Sequence, residues 1–321
     1  MLKVLFWSPT VFAREATLDA LDAVEGIETE IVQEIDDCVA GIASADVLVL
    51  GDAPPHDARR VVEAIAVSDG RLRAMHFVSA GREGFESVGF PAGVEVTGPT
   101  GANAPTVAEH AVALTLAVMR QIGRIAVNTS QGAWDRSLVR KLRSLEGQTA
   151  LIVGLGHIGR EVAIRLRAFG VHTIGLQRRA RPDASVNELG NIADLDDYLP
   201  RADVVIISAA LTAETAGLFG AERFAALPDT AVVINVARGG LVDTDALAAA
   251  LGAGQLAGAG VDVTDPEPLP EGHPLWTAPG VVISPHIAGG GSPASMARIG
   301  ESVAACVRGL QDRKEAGAHV G

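Results

Sequence analysis

Thr149-Ala-Leu-Ile-Val-Gly-Leu-Gly-His-Ile-Gly159 decides the fold. Its first five residues, aliphatic and partly β-branched, read as a buried strand. The glycine turn Gly154-Leu-Gly-His-Ile-Gly159 follows at once and opens a helical pattern that runs to about Phe169, with Gly170 placed to end it at C′. A lone Gly-x-Gly-x-x-Gly is weak evidence; set between a strand and a helix it reads as a dinucleotide phosphate loop. Gly154 permits the tight turn, Gly156 lets backbone approach a pyrophosphate, and Gly159 lets the helix lie close to the strand. The first helical amides, around His157 and Ile158, favour the anion together with the helix dipole. His157 itself reads as a solvent-facing filler. The rival readings are a turn that binds nothing and the glycine loop of a methyltransferase.

The next strand, ending at Leu176, refines the cofactor. Enzymes that use NAD place an acid at this point to hold the ribose hydroxyls. Here Gln177 stands there, followed by Arg178 and Arg179. A carboxylate repels a 2′-phosphate, whereas guanidinium groups attract it and bind it bidentately. NADP(H) is therefore the expected cofactor, with NAD(H) as the other possibility; the bland alternative is two solvated loop charges.

Working outward, short strands and helices alternate along the whole chain. Lys3–Phe6, Glu30–Val32, Ala45–Leu50 and Met75–Val78 read as strands, with helices near Ala13–Ala23, Asp36–Ile42 and Asp57–Val67. A long helix is expected over Pro105–Gln121, with Thr106 as its N-cap. Further strands are Thr173–Leu176, Asp203–Ser208, Ala231–Val236, Gly258–Asp262 and Val281–Ser284. This alternation predicts parallel βαβ units with helices on both sheet faces. Gly289-Gly-Gly291 breaks the chain, and Ser292-Pro293 opens a last helix, to about Leu310, expected to pack on the first domain and to be followed by a polar tail.

The chain has 321 residues, 48 % of them apolar and 20 % charged, and a net charge of −13. That length suits two globular domains. The acidic balance argues against a nucleic-acid partner and against a polybasic membrane-surface role. No apolar run approaches the ~20 residues that span a bilayer. Two distant cysteines, Cys38 and Cys306, make no disulfide framework and suit a reducing compartment. A cytoplasmic location is the expectation, and no metal site is expected.

Three later segments carry the chemistry: Ile234-Asn-Val-Ala-Arg-Gly-Gly-Leu-Val-Asp243, Gly260-Val-Asp-Val-Thr-Asp-Pro-Glu-Pro-Leu269 and Ser284-Pro-His-Ile-Ala-Gly-Gly290. Each begins at the carboxyl end of a predicted strand, the edge where open α/β sheets bind ligands. Arg238, Asp262, Glu267 and His286 can thus converge on one crevice. Taken in order, the glycine loop, Ala-Arg-Gly-Gly, Asp262 with Glu267 five residues on, and Ser-Pro-His-Ile resemble the signatures of the D-isomer-specific 2-hydroxyacid dehydrogenases. The match is close over about Leu145–Gly290. Val78-Ser-Ala-Gly81 and Val107-Ala-Glu-His110 resemble the family's weaker motifs, and the family usually has proline where Ala210 stands.

The resemblance implies roles that make physical sense. Arg238 binds the substrate carboxylate and polarises the carbonyl, a task suited to a planar fork of donors. His286 is the acid–base group that delivers a proton to oxygen as hydride reaches carbon. Glu267 orients the imidazole and stabilises its charged form. Asp262 meets the nicotinamide end; Ala237 and Thr212 line the cofactor cleft. Backbone amides at Ala80 and Gly81 bind the substrate carboxylate opposite Arg238. Arg82 follows, where the family is usually uncharged; it either reaches a second acidic group on the substrate or points into solvent. Glu109 and His110 read as structural or cofactor-supporting, and Trp134 and Trp276 as packing or interface residues.

The implied architecture is α/β with two Rossmann-like/flavodoxin-like domains around a cleft, the cofactor domain inserted into the substrate domain. Residues 1–100 plus 290–321 form the substrate domain and 101–289 the dinucleotide-binding domain, with a hinge at the two crossings. The expected activity is hydride transfer between NAD(P)H and a small 2-keto/2-hydroxy acid, as a reductase, in a homodimer joined through the helix after Pro105 and the segment through Trp134. The alternatives are a dinucleotide-sensing binding protein of the corepressor type and a formate- or phosphite-type dehydrogenase of the same superfamily.

Overall fold

The computed structural model describes residues 1–179 and 181–318. The chain forms two compact units: Met1–Asn103 with the segment from Ser292 onward, and Ala104–Gly291.

The first unit alternates β1 (Leu2–Trp7), α1 (Arg14–Asp22), β2 (Ile27–Val32), α2 (Ile35–Gly41), β3 (Val47–Leu50), α3 (Pro55–Val67), β4 (Ala74–Phe77), α4 (Glu83–Val88) and β5 (Glu95–Thr97). Its sheet is parallel throughout, in the order β2-β1-β3-β4-β5. This is the flavodoxin-like order. β3 and β4 are wholly buried, as strands covered on both faces must be.

The C-terminal helix (Pro293–Ala318) belongs to this unit. Ser292 caps it: the Ser295 amide donates to Ser292 Oγ at 3.1 Å, and proline fills the first helical position. Ile299, Val303, Val307 and Leu310 form one buried stripe against Leu2, Val4, Phe6 and Leu21. The helix runs past Leu310 because Gln311 to Ala318 are mostly strong helix formers with no apolar stripe to mark them. Of the expected polar tail, residues 319–321 lie outside the described residues. Gly300 is where this helix crosses α1: a Cβ there would sit 2.2 Å from the Ala16 carbonyl oxygen.

The second unit holds α5 (Ala104–Met119), α6 (Ile122–Ser130), β6 (Thr149–Val153), α7 (His157–Arg167), β7 (His172–Gln177), β8 (Glu188–Asn191), α8 (Leu195–Tyr198), β9 (Val204–Ile207), α9 (Ala221–Ala226), β10 (Val232–Asn235), α10 (Thr244–Gly252), β11 (Gly258–Val261) and β12 (Val281–Ile283). The parallel sheet runs β12-β11-β10-β9-β6-β7-β8. The strand order reverses at β6, so the crevice beyond the carboxyl ends of β6 and β9 is the topological switch point of a Rossmann sheet. β11 is glycine-rich for a packing reason: a Cβ on Gly258 would meet Val118 Cγ1 at 2.5 Å, and one on Gly260 would meet Leu114 Cβ at 2.9 Å. Those glycines let α5 lie directly on the sheet.

Several expectations shift here. α5 begins at Ala104, so Thr106 is its third residue and not its N-cap. The helix ends at Met119, and Gln121 takes φ +55 before α6 starts. The apolar pattern runs through that break, which is why periodicity alone reads one helix. α7 stops at Arg167, leaving Gly170 (φ +76) two residues beyond the cap at Ala168.

Gly300→Val should lower the stability of the protein by about 1–3 kcal/mol, since the helix must lift from α1 to admit the side chain. A urea denaturation midpoint equal to that of the parent would show that the crossing has slack.

Candidate active site

The phosphate loop is shaped by backbone contact. Gly154 has φ +99, and a Cβ there would lie 2.5 Å from Ala209 backbone atoms; a Cβ on Gly159 would lie 2.4 Å from the Gly154 carbonyl oxygen. Ser208 Oγ donates to that same oxygen at 2.8 Å. Gly156 differs: a Cβ there would meet nothing within 4 Å. The protein itself therefore places no demand for glycine at 156. A methyl group would instead fill the cradle in front of the α7 N-terminus, where no side chain caps the helix among the described residues. Uncapped amides beside an open cradle fit a pyrophosphate.

Around this loop, Gln177 ends β7 and donates from Nε2 to the Arg181 carbonyl at 3.3 Å. Arg178 and Arg179 are exposed, and Glu214 Oε2 lies 4.0 Å from Arg178 Nη1. On the other side, the Thr212 amide and hydroxyl meet Thr215 Oγ1 at 2.8 and 3.1 Å, and Thr215 Oγ1 donates to the Ala210 carbonyl at 2.7 Å. This turn holds its shape with Ala210 in place of proline.

Arg238 follows β10 in a turn organised by the wholly buried Asn235. Asn235 Nδ2 donates to the Arg238 carbonyl at 2.9 Å, and Asn235 Oδ1 accepts from the amide of buried Ala237 at 3.1 Å. A Cβ on Gly239 would fall 1.9 Å from the Thr264 carbonyl oxygen. Glycine there lets the Arg238 turn press against the loop that carries Glu267. Thr244 Oγ1, donating to the Asp265 carbonyl at 2.9 Å, ties the same two loops.

His286 and Glu267 meet directly, with Nδ1 2.8 Å from Oε2. Glu267 Oε1 accepts from the Thr264 amide at 3.0 Å, which fixes the carboxylate. The pair is solvent-facing, with 53 % and 37 % of the two side chains exposed, so its contribution to stability is about 0–1 kcal/mol. Its value is orientation: with Nδ1 engaged, Nε2 is the free nitrogen. His286 is held at φ +53, a conformation costly for a residue with a Cβ.

Asp262 compensates for that cost. Only 2 % exposed, it stands just past β11. Its Oδ1 accepts from Ser284 Oγ at 2.6 Å and from the Ile287 amide at 3.0 Å; its Oδ2 accepts from the Ala288 amide at 2.9 Å. Its carbonyl takes the His286 amide at 2.7 Å. His110 Nε2, reaching from α5, lies 2.8 Å from Ser284 Oγ and 3.4 Å from Asp262 Oδ1. Sequence reasoning named Asp262 and left His110 undecided, and it missed Ser284 as a holder of the loop. Trp276, expected as a packing or interface residue, is half exposed and lines a cavity of about 510 Å³ with Glu267, His286 and Leu269.

The comparisons bear on the fold that carries these residues. The sequence profile described as "D-isomer specific 2-hydroxyacid dehydrogenase, NAD binding domain" matches residues 112–288. The chain belongs to the D-isomer-specific 2-hydroxyacid dehydrogenase family. It is 35 % identical over 275 residues to the D-3-phosphoglycerate dehydrogenase of Mycobacterium leprae, covering 84 % of this chain and 50 % of that protein. It is 39 % identical over 214 residues to the glyoxylate reductase of Thermofilum pendens, covering 64 % of this chain and 63 % of that one. It thus spans about half the length, or less, of the first curated relatives it matches. A solved D-isomer specific 2-hydroxyacid dehydrogenase from Xanthobacter autotrophicus Py2, in complex with NADPH and MES, shares the fold with a TM-score of 0.77 and 26 % identity, covering 98 % of this chain and 95 % of that one.

The family's other motif lies in the first unit. Ala80 is exposed and Gly81 half-buried after β4. Ser79 Oγ donates to the Gly81 carbonyl at 2.8 Å and accepts from the Asp52 amide at 3.0 Å, which pins the turn.

Asp262→Ala should cost about 2–4 kcal/mol, because it strands the Ile287 and Ala288 amides and removes charge-assisted bonds. Chemical denaturation checks the loss. A parent-like unfolding curve would show that the loop holds His286 without the carboxylate.

Proposed function

We propose that this chain is an NADPH-preferring reductase of small 2-keto acids, run reversibly as a D-2-hydroxyacid dehydrogenase. The observation that carries the reading is the Glu267–His286 pair, 2.8 Å apart, at the carboxyl edge of a Rossmann sheet whose phosphate loop leaves its helix N-terminus uncapped. A bound nicotinamide dinucleotide supplies the hydride. The chain's own residues do the rest. Arg238 binds the substrate carboxylate with a planar fork of donors. His286 Nε2 holds the proton destined for the keto oxygen. Glu267 keeps Nδ1 protonated and stabilises the imidazolium. Asp262, through the 284–288 loop, keeps His286 in place and borders the nicotinamide end.

The NADP preference rests on Gln177 in the acid's position and on Arg178 and Arg179 beside it. The ion pair from Arg178 to Glu214 is 4.0 Å long with both side chains mostly exposed, so it competes weakly with a phosphate. A homodimer is supported by the apolar side chains that α6 and its following segment expose: Ile122, Ile125, Val127, Trp134 and Val139. Among the described residues no helix is long and apolar enough to cross a membrane. Free Cys38 and Cys306 suit a reducing, cytoplasmic compartment.

Oxidation of NADPH with glyoxylate, hydroxypyruvate and pyruvate tests the activity. His286→Ala should reduce kcat about 10²–10⁴-fold; unchanged turnover would sink this mechanism, and an inactive parent with tight cofactor binding would point to a dinucleotide sensor. For the cofactor, the Arg178→Gln/Arg179→Gln double variant should lower the NADPH-over-NADH preference in kcat/KM by about ten-fold or more, the worth of one charge-assisted contact. A preference that is absent in the parent, or unmoved in the variant, removes the arginines from cofactor selection.

A further inference from the structure

A cavity of about 760 Å³, the size of many small-molecule sites, lies wholly within the first unit. The turn after β5, Gly98 to Ala102, forms one wall, and the C-terminal helix forms another. That turn closes on itself: the Thr100 amide donates to the Gly98 carbonyl at 2.8 Å and the Ala102 amide to the Pro99 carbonyl at 2.9 Å. Two guanidinium groups line the cavity, those of Arg82 and Arg298, and neither Ala80 nor Gly81 is part of its wall. Neither arginine takes part in the chemistry proposed above.

Both guanidinium groups are held in place and left short of a counter-charge. That of Arg82 lies 5.8 Å from the ring centroids of both Phe77 and Phe90, so aromatic rings steady it. Its carboxylate neighbour, Glu86, is 3.8 Å away and half exposed, a weak i,i+4 pair. Arg298 is anchored by neutral acceptors: Nε donates to the Ala102 carbonyl and Nη2 to Ser295 Oγ, each at 2.9 Å. These bonds use two of its five donors and leave the rest on its two terminal nitrogens. Among the described residues no carboxylate lies within 4.0 Å of it. Glu301 also lines the cavity but is bonded to Arg308.

The remaining polar groups satisfy one another. Buried His76 bridges Thr97 Oγ1 at 2.8 Å and Ser302 Oγ at 3.0 Å, and Ser302 Oγ donates to the Ile299 carbonyl at 2.7 Å. Burial pushes the His76 pKa down to about 4, so the imidazole is neutral at physiological pH. The donors left for a ligand are those of the two arginines. Two cations on one cavity repel each other, and its low-dielectric walls concentrate their field. A single negative charge balances one guanidinium only. A phosphate group carries nearly two at neutral pH, and its oxygens match the forked ends of arginine.

We propose that this cavity is a binding site for a dianionic phosphate group, free or carried on a small organic molecule, held by Arg82 and Arg298. The site shares no residue with the cofactor and substrate contacts proposed above. It therefore stands or falls independently of the reductase reading.

Calorimetric titration of the full chain, saturated with NADPH and held at constant ionic strength, tests the site. The probes are inorganic phosphate, glycerol phosphate and acetate. Phosphate or its ester should bind about ten-fold or more tighter than acetate, and the tighter of the two tells a free ion from an organic ligand. Arg82→Gln and Arg298→Gln should each weaken that binding about ten-fold or more, the loss of one charge-assisted contact. Arg82→Lys should retain part of the affinity. Glu86→Gln should tighten it, because it removes the carboxylate nearest Arg82. Cys306 reports the place: it lines the cavity, whereas Cys38 is wholly buried. Burial raises the Cys306 pKa, so its alkylation by iodoacetamide is followed in alkaline buffer by peptide mass. Phosphate should slow that alkylation in the parent and not in Arg298→Gln. Acetate binding as tight as phosphate overturns the dianion assignment. Binding that both glutamine variants leave unmoved, or that leaves Cys306 unprotected, lies elsewhere and overturns the site. No binding of phosphate or its ester overturns it as well.

Discussion

A carboxylate buried among apolar strands must be satisfied by hydrogen bonds or it does not stay there charged. Asp262 meets that demand with a ring of donors drawn from one loop, Ser284, Ile287 and Ala288, and with His110 behind Ser284. The demand of the carboxylate thereby becomes the shape of the loop. It also explains how His286 is kept in a left-handed conformation that its side chain disfavours. The exposed Glu267–His286 bond is too weak to impose that conformation. The order of the site comes from its buried end, and the exposed end inherits it.

The same logic holds where loops meet backbone to backbone. Gly239 against Thr264 and Gly154 against Ala209 are contacts that any side chain would break. Each joins the loop of one strand to the loop of another. The first couples the Arg238 turn to the Glu267 segment, so that two residues from separate strands share one frame. The second sets the phosphate loop against the turn of Thr212. Gly156 stands apart from these, because space in front of it is open. Of these three glycines, the fold requires Gly239 and Gly154, and the explanation of Gly156 lies outside the fold.

Much of this was legible in the sequence. Val204–Ile207 is a continuous apolar run and Val232–Asn235 is one up to its last residue, and a doubly covered parallel strand leaves that signature. The Arg238, Glu267 and His286 segments were legible because each follows such a run. Other features carry no local signal. β8, Glu-Leu-Gly-Asn, is a strand only because Ile174 to Gln177 offer it a register. The break at Gln121 is a single backbone rotation inside an apolar pattern. Ser284 and His110 lie 174 residues apart, and their bond depends on the tertiary fold. The resemblance supplied the roles of the strand-end residues. What it lacked was the reason that His286 stays where it is.

Charge poses a last problem, since a chain of net charge −13 is read here as binding anions. At physiological ionic strength fields fade over about 8 Å, so the average charge of the surface hardly reaches a bound phosphate. What matters is which arginines are already committed. Arg201 bonds Glu188 and holds that carboxyl below its usual range, and Arg223 does the same to Asp196. Those pairs are 2.7 Å long. By contrast Arg178 and Arg82 have carboxylates only at 4.0 and 3.8 Å, the outer limit of an ion pair. An acidic protein can therefore present strong local anion receptors, provided that its guanidinium groups are divided in this way between structural carboxylates and open loops. The division follows from loop position: the committed arginines bridge neighbouring elements, whereas Arg178 stands directly after the end of β7, where the sheet delivers its ligands.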